Sequence, residues 1–281
     1  MPPEAGPPCS SLPAAQGYLA RVPNLAANIS TMFNEHDFAT RIDAAAACGF
    51  SAVECQFPYA TPAEEVADRL RKTGVELVLL NAPAGDLAAG DRGLGAVDGR
   101  HEEFMASIET AARYAEITGC RRIHVMAGCP VDGGASQRFV DRIGWAADRL
   151  APAGIDVLIE PMNLRDVPGY LLMSTRQAER VIDNVARANV KLQFDTYHLQ
   201  IQEGDLVANF LRCQEKIGHL QCSSLPGRNE PDSGEVAHQW LFERFDDAGY
   251  GDWIGCEYRP RGATLDGLDW AEPYGIVARP L

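Results

Sequence analysis

Eight short apolar runs alternating with stretches of helical periodicity constrain this chain more than any other feature. The runs are Asn24 to Ser30, Ser51 to Phe57, Glu76 to Asn81, Arg122 to Ala127, Asp156 to Glu160, Val190 to Asp195, Ile217 to Cys222 and Trp253 to Glu257. Their near-continuous apolar character suits strands covered on both faces, as in a parallel sheet. Phe104, Ile108, Ala111, Ala112 and Ala115 recur at three- and four-residue spacing, which predicts a helix from about His101 to Thr118 with Gly119 as its stop. A Thr-Pro start opens a second helical stretch over Thr61 to Lys72, and a Ser-Thr start opens a third over Ser174 to Ala188. The alternation gives an α/β class with right-handed crossovers, and eight runs favour closure into a single (β/α)8 TIM barrel. An open doubly wound sheet is the alternative, but no Gly-rich dinucleotide fingerprint follows the first run. The 281 residues are the usual size of one barrel domain.

In such a barrel the carboxyl ends of the strands carry the chemistry. Four of the later runs close on a side chain able to bind a metal: Glu160 in VLIEP, Asp195 in LQFDTYH, Gln221 in HLQCS and Glu257 in IGCEYRP. Any one of them alone reads as a solvated rim residue. Together, three carboxylates and an amide make an oxygen-only nest for one divalent ion, Mg2+ or Mn2+, and not a thiolate zinc site. Glu160 and Glu257 stand directly after apolar runs, where a buried carboxylate without a cation is costly and coordination resolves the cost.

Composition narrows the partners. With 39 acidic against 25 basic residues the net charge is −14, which repels nucleic acid and anionic membranes. Eight cysteines are scattered without a CxxC pair, several inside apolar runs where a reduced thiol packs as a small hydrophobe; this points to a reducing, cytoplasmic compartment. Residues 1–21, rich in Pro, Ala and Ser, lack a basic start followed by an apolar core, so they read as a disordered tail ahead of a barrel domain over 22–281, and not as a signal peptide or membrane span. Homo-oligomerisation is left open.

The runs GLGAVDGR (Gly93 to Arg100), FDTYH (Phe194 to His198), SLPGRNEPDSGE (Ser224 to Glu235) and IGCEYRPRG (Ile254 to Gly262) closely resemble the hydroxypyruvate isomerase family of the xylose-isomerase-like barrels. ANIS (Ala27 to Ser30), FPYATPAE (Phe57 to Glu64), NAPAGD (Asn81 to Asp86) and HVMAG (His124 to Gly128) extend the likeness from about Val22 to nearly the C-terminus. The resemblance implies one divalent metal held by a Glu, an Asp, a Gln and a Glu, which fall here on Glu160, Asp195, Gln221 and Glu257. It also implies that Glu160 and Glu257 are the acid/base pair. The implied reaction is isomerisation of hydroxypyruvate and tartronate semialdehyde (2-hydroxy-3-oxopropanoate) through an enediol(ate), an intramolecular oxidoreduction of carbohydrate and glyoxylate metabolism acting on a small anionic oxo acid. A metal chelating both substrate oxygens would polarise the carbonyl and stabilise the developing charge.

Around that nest, His198 lies three residues after Asp195, and related barrels place there a His that meets substrate or orients a ligand; helix-start packing is the bland alternative. Arg228, in LPGR, has the planar fork that suits a substrate carboxylate, and Arg259 is a weaker substrate-binding candidate, with Arg261 beside it. Glu54 is expected to point inward from its strand, Phe57 and Tyr59 to form an apolar wall or plain barrel packing, and His124 and His219 to fill the interior without ligating. Cys222 and Ser223 replace small aliphatic residues usual in the family, and Ala237 and His238 replace an Asn-Tyr pair; neither change removes a ligand. The main rival reading is a 2-oxo-tetronate isomerase with a slightly deeper pocket. Sugar epimerases and dehydratases of the superfamily follow, although the epimerases usually carry a His where Gln221 stands. A silent sugar-acid-binding protein would be expected to lose a ligand or acid/base residue, and none is missing.

Overall fold

The computed structural model describes residues 23–281; the expected tail over 1–21 lies outside the described residues. Eight parallel strands close on themselves in sequence order: β1 (Asn24–Asn28), β2 (Ala52–Cys55), β3 (Glu76–Asn81), β4 (Arg122–His124), β5 (Asp156–Ile159), β6 (Val190–Asp195), β7 (Ile217–Cys222) and β8 (Trp253–Cys256). The closing pair sets Leu25 opposite Ile254 and Ala27 opposite Cys256. The helices are α1 (Thr40–Ala47), α2 (Ala63–Thr73), α3 (His101–Thr118), α4 (Ala135–Leu150), α5 (Thr175–Val185), then α6 (Thr196–Gln202) and α7 (Leu206–Cys213), both between β6 and β7, and α8 (His238–Asp247). After β8 the described chain forms only 3-10 segments, Thr264–Gly267 and Asp269–Tyr274.

The second expected run begins one residue before its strand, at Ser51, and several runs overshoot their strands at the carboxyl end. Ladder-like hydrogen bonds persist there, Ile29 N–H to Glu54 O at 2.9 Å and Val125 N–H to Leu158 O at 2.9 Å, after the regular strand has ended. The apolar pattern therefore follows burial into the barrel mouth beyond the sheet itself. Helix α3 has the bounds its periodicity gives, and Gly119 ends it in the left-handed region at φ 78°. Ser174 caps α5 by accepting from Gln177 N–H at 3.2 Å. The Thr-Pro start works differently: Pro62 is the N-cap of α2, and no side chain caps that end. The segment after Tyr274 is pinned to the barrel, because Ile276 is buried and Val277 N–H donates to Cys48 O at 2.8 Å.

Strand β6 shows how sheet periodicity sorts core from chemistry. Successive side chains face opposite sides. Phe194 points outward against Phe210 of α7 and Phe245 of α8, with ring centroids 6.1 and 6.4 Å away. Its neighbours Gln193 and Asp195 therefore point into the barrel. The barrel interior begins with a small apolar floor of Ala26, Ala52 and Val78, with Trp253 beside it. Two residues further along β1 and β2, on the same inward face, stand Asn28 and Glu54, so the floor gives way to a buried polar layer just below the site. No described helix is long and apolar enough to cross a membrane, and the seven described cysteines are unpaired.

Candidate active site

The polar layer is centred on Glu54, which is fully buried. Its Oε1 accepts from Asn28 Nδ2 at 2.8 Å and from Gln221 Nε2 at 2.7 Å, while Oε2 lies 2.6 Å from His219 Nε2. Gln193 Nε2 donates to Gln221 Oε1 at 2.7 Å, so both ends of the Gln221 amide are held. A Cβ on Gly255 would fall on the Glu54 carboxylate, which is why β8 crosses this point with glycine. The interior histidine expected at 219 is thus a partner of Glu54.

Above this layer the carboxyl ends of β4 to β8 converge. Asp195 ends β6 and N-caps α6: its Oδ1 accepts from Tyr197 N–H at 2.9 Å, which leaves Oδ2 for the site. That oxygen lies 3.6 Å from His198 Nε2 and 3.3 Å from an Arg228 guanidinium nitrogen. Glu160 follows β5, with Oε2 3.6 Å from His124 Nε2 and Oε1 buried without a hydrogen-bond partner. Glu257 follows β8 and has both oxygens engaged, Oε1 by Gln56 Nε2 at 2.5 Å and Oε2 by Arg228 at 2.7 Å. Arg228 also stacks on the Tyr197 ring, 4.8 Å from its centroid.

Glu160, Asp195 and His198 each offer a ligand atom within 4.8 Å of the others. The tautomer of His198 argues against ligation by its ring. Asn163 presents two donors to Nδ1, its backbone N–H at 3.2 Å and its side-chain amide at 2.7 Å, and the amide is oriented because its oxygen accepts from Asp166 N–H at 2.8 Å. Nδ1 is therefore the acceptor, and the proton of the neutral ring sits on Nε2. With no partner in hydrogen-bond range, that N–H suits an oxygen of a bound molecule. The carboxylates fit a cation better: burying two acids with so few donors costs free energy that a divalent ion would offset, and Glu160 Oε1 has no other partner.

Electrostatics follow from this crowding. Burial, reinforced by the carboxylates of Asp195 and Glu257, holds the Glu160 pKa well above the ordinary range. Asp195 is pushed up to about 7 by burial, against the pull of Arg228. Burial also raises Glu257, with Arg228 opposing. His124 is lowered to about 3 by burial and by His219, and His198 is lowered well below its ordinary value by burial and by Arg228, so both rings are neutral. Burial disfavours the charge on Arg228, yet Glu257, Asp195 and Glu160 hold its pKa above the ordinary arginine value.

The structure thus brings Glu160, Asp195, His198, Glu257 and Arg228 together, with Gln221 tied just beneath. Arg259 is not among them. Its side chain is exposed and lines a separate cleft of about 340 Å3 with Ser30, Thr31, Asn34 and Glu35 at the barrel mouth. Arg261 pairs with Glu230 and Asp232. Tyr59 serves packing, its hydroxyl donating to Asn81 O at 2.5 Å and its ring edge-on to Tyr114. A cavity of about 600 Å3 between α8 and the C-terminal turns is lined by none of the site carboxylates Glu160, Asp195 and Glu257. Sequence reasoning missed Gln56, Asn163 and the closeness of His124 to Glu160. The one available signal was position, since Gln56 and His124 close their strands as the acidic residues do.

Fold and site together define a (β/α)8 barrel with a buried acidic cluster at the carboxyl ends of its strands, the arrangement of a metal-capable barrel enzyme. The chain belongs to the xylose isomerase-like TIM barrel family, whose description matches residues 42–274. It is 47% identical to the 2-oxo-tetronate isomerase of Cupriavidus necator over 90% of this chain and 99% of that protein. It is 42% identical to the hydroxypyruvate isomerase of Escherichia coli over 88% of this chain and 98% of that one. Among solved structures, one titled AP endonuclease, family 2, from Brucella melitensis superposes with a TM-score of 0.87 at 42% identity, covering 90% of this chain and 99% of that one.

Proposed function

We propose that this isomerase interconverts hydroxypyruvate and tartronate semialdehyde by proton transfer between adjacent carbons through an enediol(ate), assisted by one divalent metal, Mg2+ or Mn2+. The observation that carries the reading is the buried carboxylate set Glu160, Asp195 and Glu257 around a partnerless Glu160 oxygen, in a chain whose curated relatives are named for such isomerisations. Glu160 and Asp195, with Gln221 and Glu257, would hold the ion, which when bound supplies Lewis-acid polarisation of the substrate carbonyl. Glu160 takes or returns the proton on its carboxyl group, whose proton affinity burial raises. Glu257, with both oxygens hydrogen-bonded, is the partner acid/base on the other side. His198 donates from Nε2 to a substrate oxygen, and Arg228 meets the substrate carboxylate.

A second reading, 2-oxo-tetronate as substrate, draws on the Cupriavidus relative. An endonuclease activity, as the Brucella protein's name suggests for that protein, is opposed here by the net charge of −14, which repels a polyanion. The test is initial rates on both oxo acids after chelation and after re-addition of Mg2+ or Mn2+. Metal-restored turnover of hydroxypyruvate in preference to 2-oxo-tetronate supports the first reading, the reverse preference the second, and no turnover of either defeats both.

A further inference from the structure

The proposed metal ligands and Arg228 make overlapping claims. Asp195 Oδ2 is the one oxygen of that residue left free by helix capping, and it faces both the Glu160 and His198 side and the guanidinium. Glu257 Oε2 is held by the same guanidinium at 2.7 Å. One partly buried arginine therefore already bridges two carboxylates of the nest. Its backbone is fixed independently of the side chain, since its N–H donates to Ser224 O at 2.8 Å and its carbonyl accepts from Arg259 N–H at 2.7 Å. The side chain can move while the loop stays, with the Tyr197 ring as a surface to slide along.

We propose that Arg228 is an internal countercation that competes with the divalent ion for Asp195 and Glu257, so that ion binding releases its guanidinium to receive the anionic end of the substrate. Occupancy of the metal then comes before tight binding of the carboxylate, and the site is not primed for anions until the ion is in place. The idea rests on the metal reading above, and the experiment separates the two. A neighbouring arginine provides the control: Arg165 lies over the same Tyr197 ring, 5.9 Å from its centroid, and donates to the Tyr197 hydroxyl at 3.1 Å, but it makes no contact with Asp195 or Glu257.

The test is Mn2+ binding, followed by the paramagnetic resonance of the free ion, in the full-length protein and in the Arg228→Gln, Arg228→Lys and Arg165→Gln variants. Removing a charge-assisted contact to two ligands should tighten Mn2+ roughly tenfold in Arg228→Gln. Arg228→Lys, which keeps the charge and loses the fork, should fall between, and Arg165→Gln should stay within about twofold of the parent because its charge is exposed and screened. Equal tightening in Arg228→Gln and Arg165→Gln would mean simple through-space charge and would overturn the proposal. Unchanged or weaker binding in Arg228→Gln would overturn it while leaving the metal reading standing. Absence of Mn2+ binding to the parent protein would sink the metal reading itself. For the release step, phenylglyoxal should modify Arg228 in the parent protein severalfold faster with Mn2+ than without, read by mass spectrometry of its peptide; a rate indifferent to Mn2+ would show that the guanidinium is not freed.

Discussion

Replacing Glu54 by leucine tests the buried layer that carries the site. The side chains are similar in volume, so little cavity opens, and the change removes two acceptor oxygens. Asn28 Nδ2 and Gln221 Nε2 lose their acceptor, and His219 Nε2 loses its only partner within 2.6 Å. His219 can shift its proton to Nδ1, which has no partner, but Nε2 then becomes an orphaned acceptor. At about 1–3 kcal/mol for each of these three buried polar groups left unsatisfied, the loss is about 3–9 kcal/mol. Replacing all partners together by apolar groups is often neutral; removing one partner is not. For a chain of this size the expected fall in Tm is roughly 10 °C or more. Glu54→Gln keeps an oxygen for Asn28 and Gln221 and lets the His219 tautomer adapt, so it should cost only about 1 kcal/mol. Turnover should fall further in Glu54→Leu than in Glu54→Gln, because both ends of the Gln221 amide stay held only in the latter. Urea denaturation and steady-state kinetics on the two variants decide the matter, and a Glu54→Leu protein within 1 kcal/mol of the parent would refute the reasoning.

Glu160→Gln and Glu257→Gln should each abolish measurable turnover while circular dichroism and Tm stay close to the parent, since shape is kept and a base is lost; normal rates in both would remove them from the mechanism. Asp195, raised to about 7 against an ordinary carboxylate in the unfolded chain, contributes stability that is complete below the unfolded pKa near 4 and is lost as pH rises through about 7. In chelator, the Tm of the parent minus that of Asp195→Asn should therefore decline between pH 4 and 8, whereas Mn2+ affinity should rise over the same range and level off above about 7. A flat affinity profile would contradict the assignment. Ser174→Ala removes the cap on α5 and should lower stability by about 1 kcal/mol without changing turnover, checked by thermal denaturation.

The barrel was legible because its signal is local: each apolar run and each helical period reports its own burial, and their alternation and number imply closure. The acidic strand ends were legible for the same reason, as polar residues placed where apolar runs stop. What escaped was set by closure in space. Glu54 meets His219 and Gln221 across sequence separations of 165 and 167 residues, and Gln56 meets Glu257 across 201. Only strand register around the full circle brings those pairs together. The Arg228 bridge escaped because its position depends on a loop, and Arg259, the weaker candidate by sequence, is exposed at the rim. Asn163 carried no signal, being an ordinary loop residue whose effect is to choose the tautomer of His198.

The central claim is proton transfer by a metal-assisted carboxylate pair, and proton NMR of hydroxypyruvate in D2O reads it directly. Protein freed of metal by chelation is compared with the same protein given Mg2+. The account predicts Mg2+-dependent formation of tartronate semialdehyde with deuterium entering at the carbon that exchanges its proton, and loss of both signals in Glu160→Gln. Conversion equally fast in excess chelator, or conversion with no deuterium taken up from solvent and undiminished in Glu160→Gln, would contradict it.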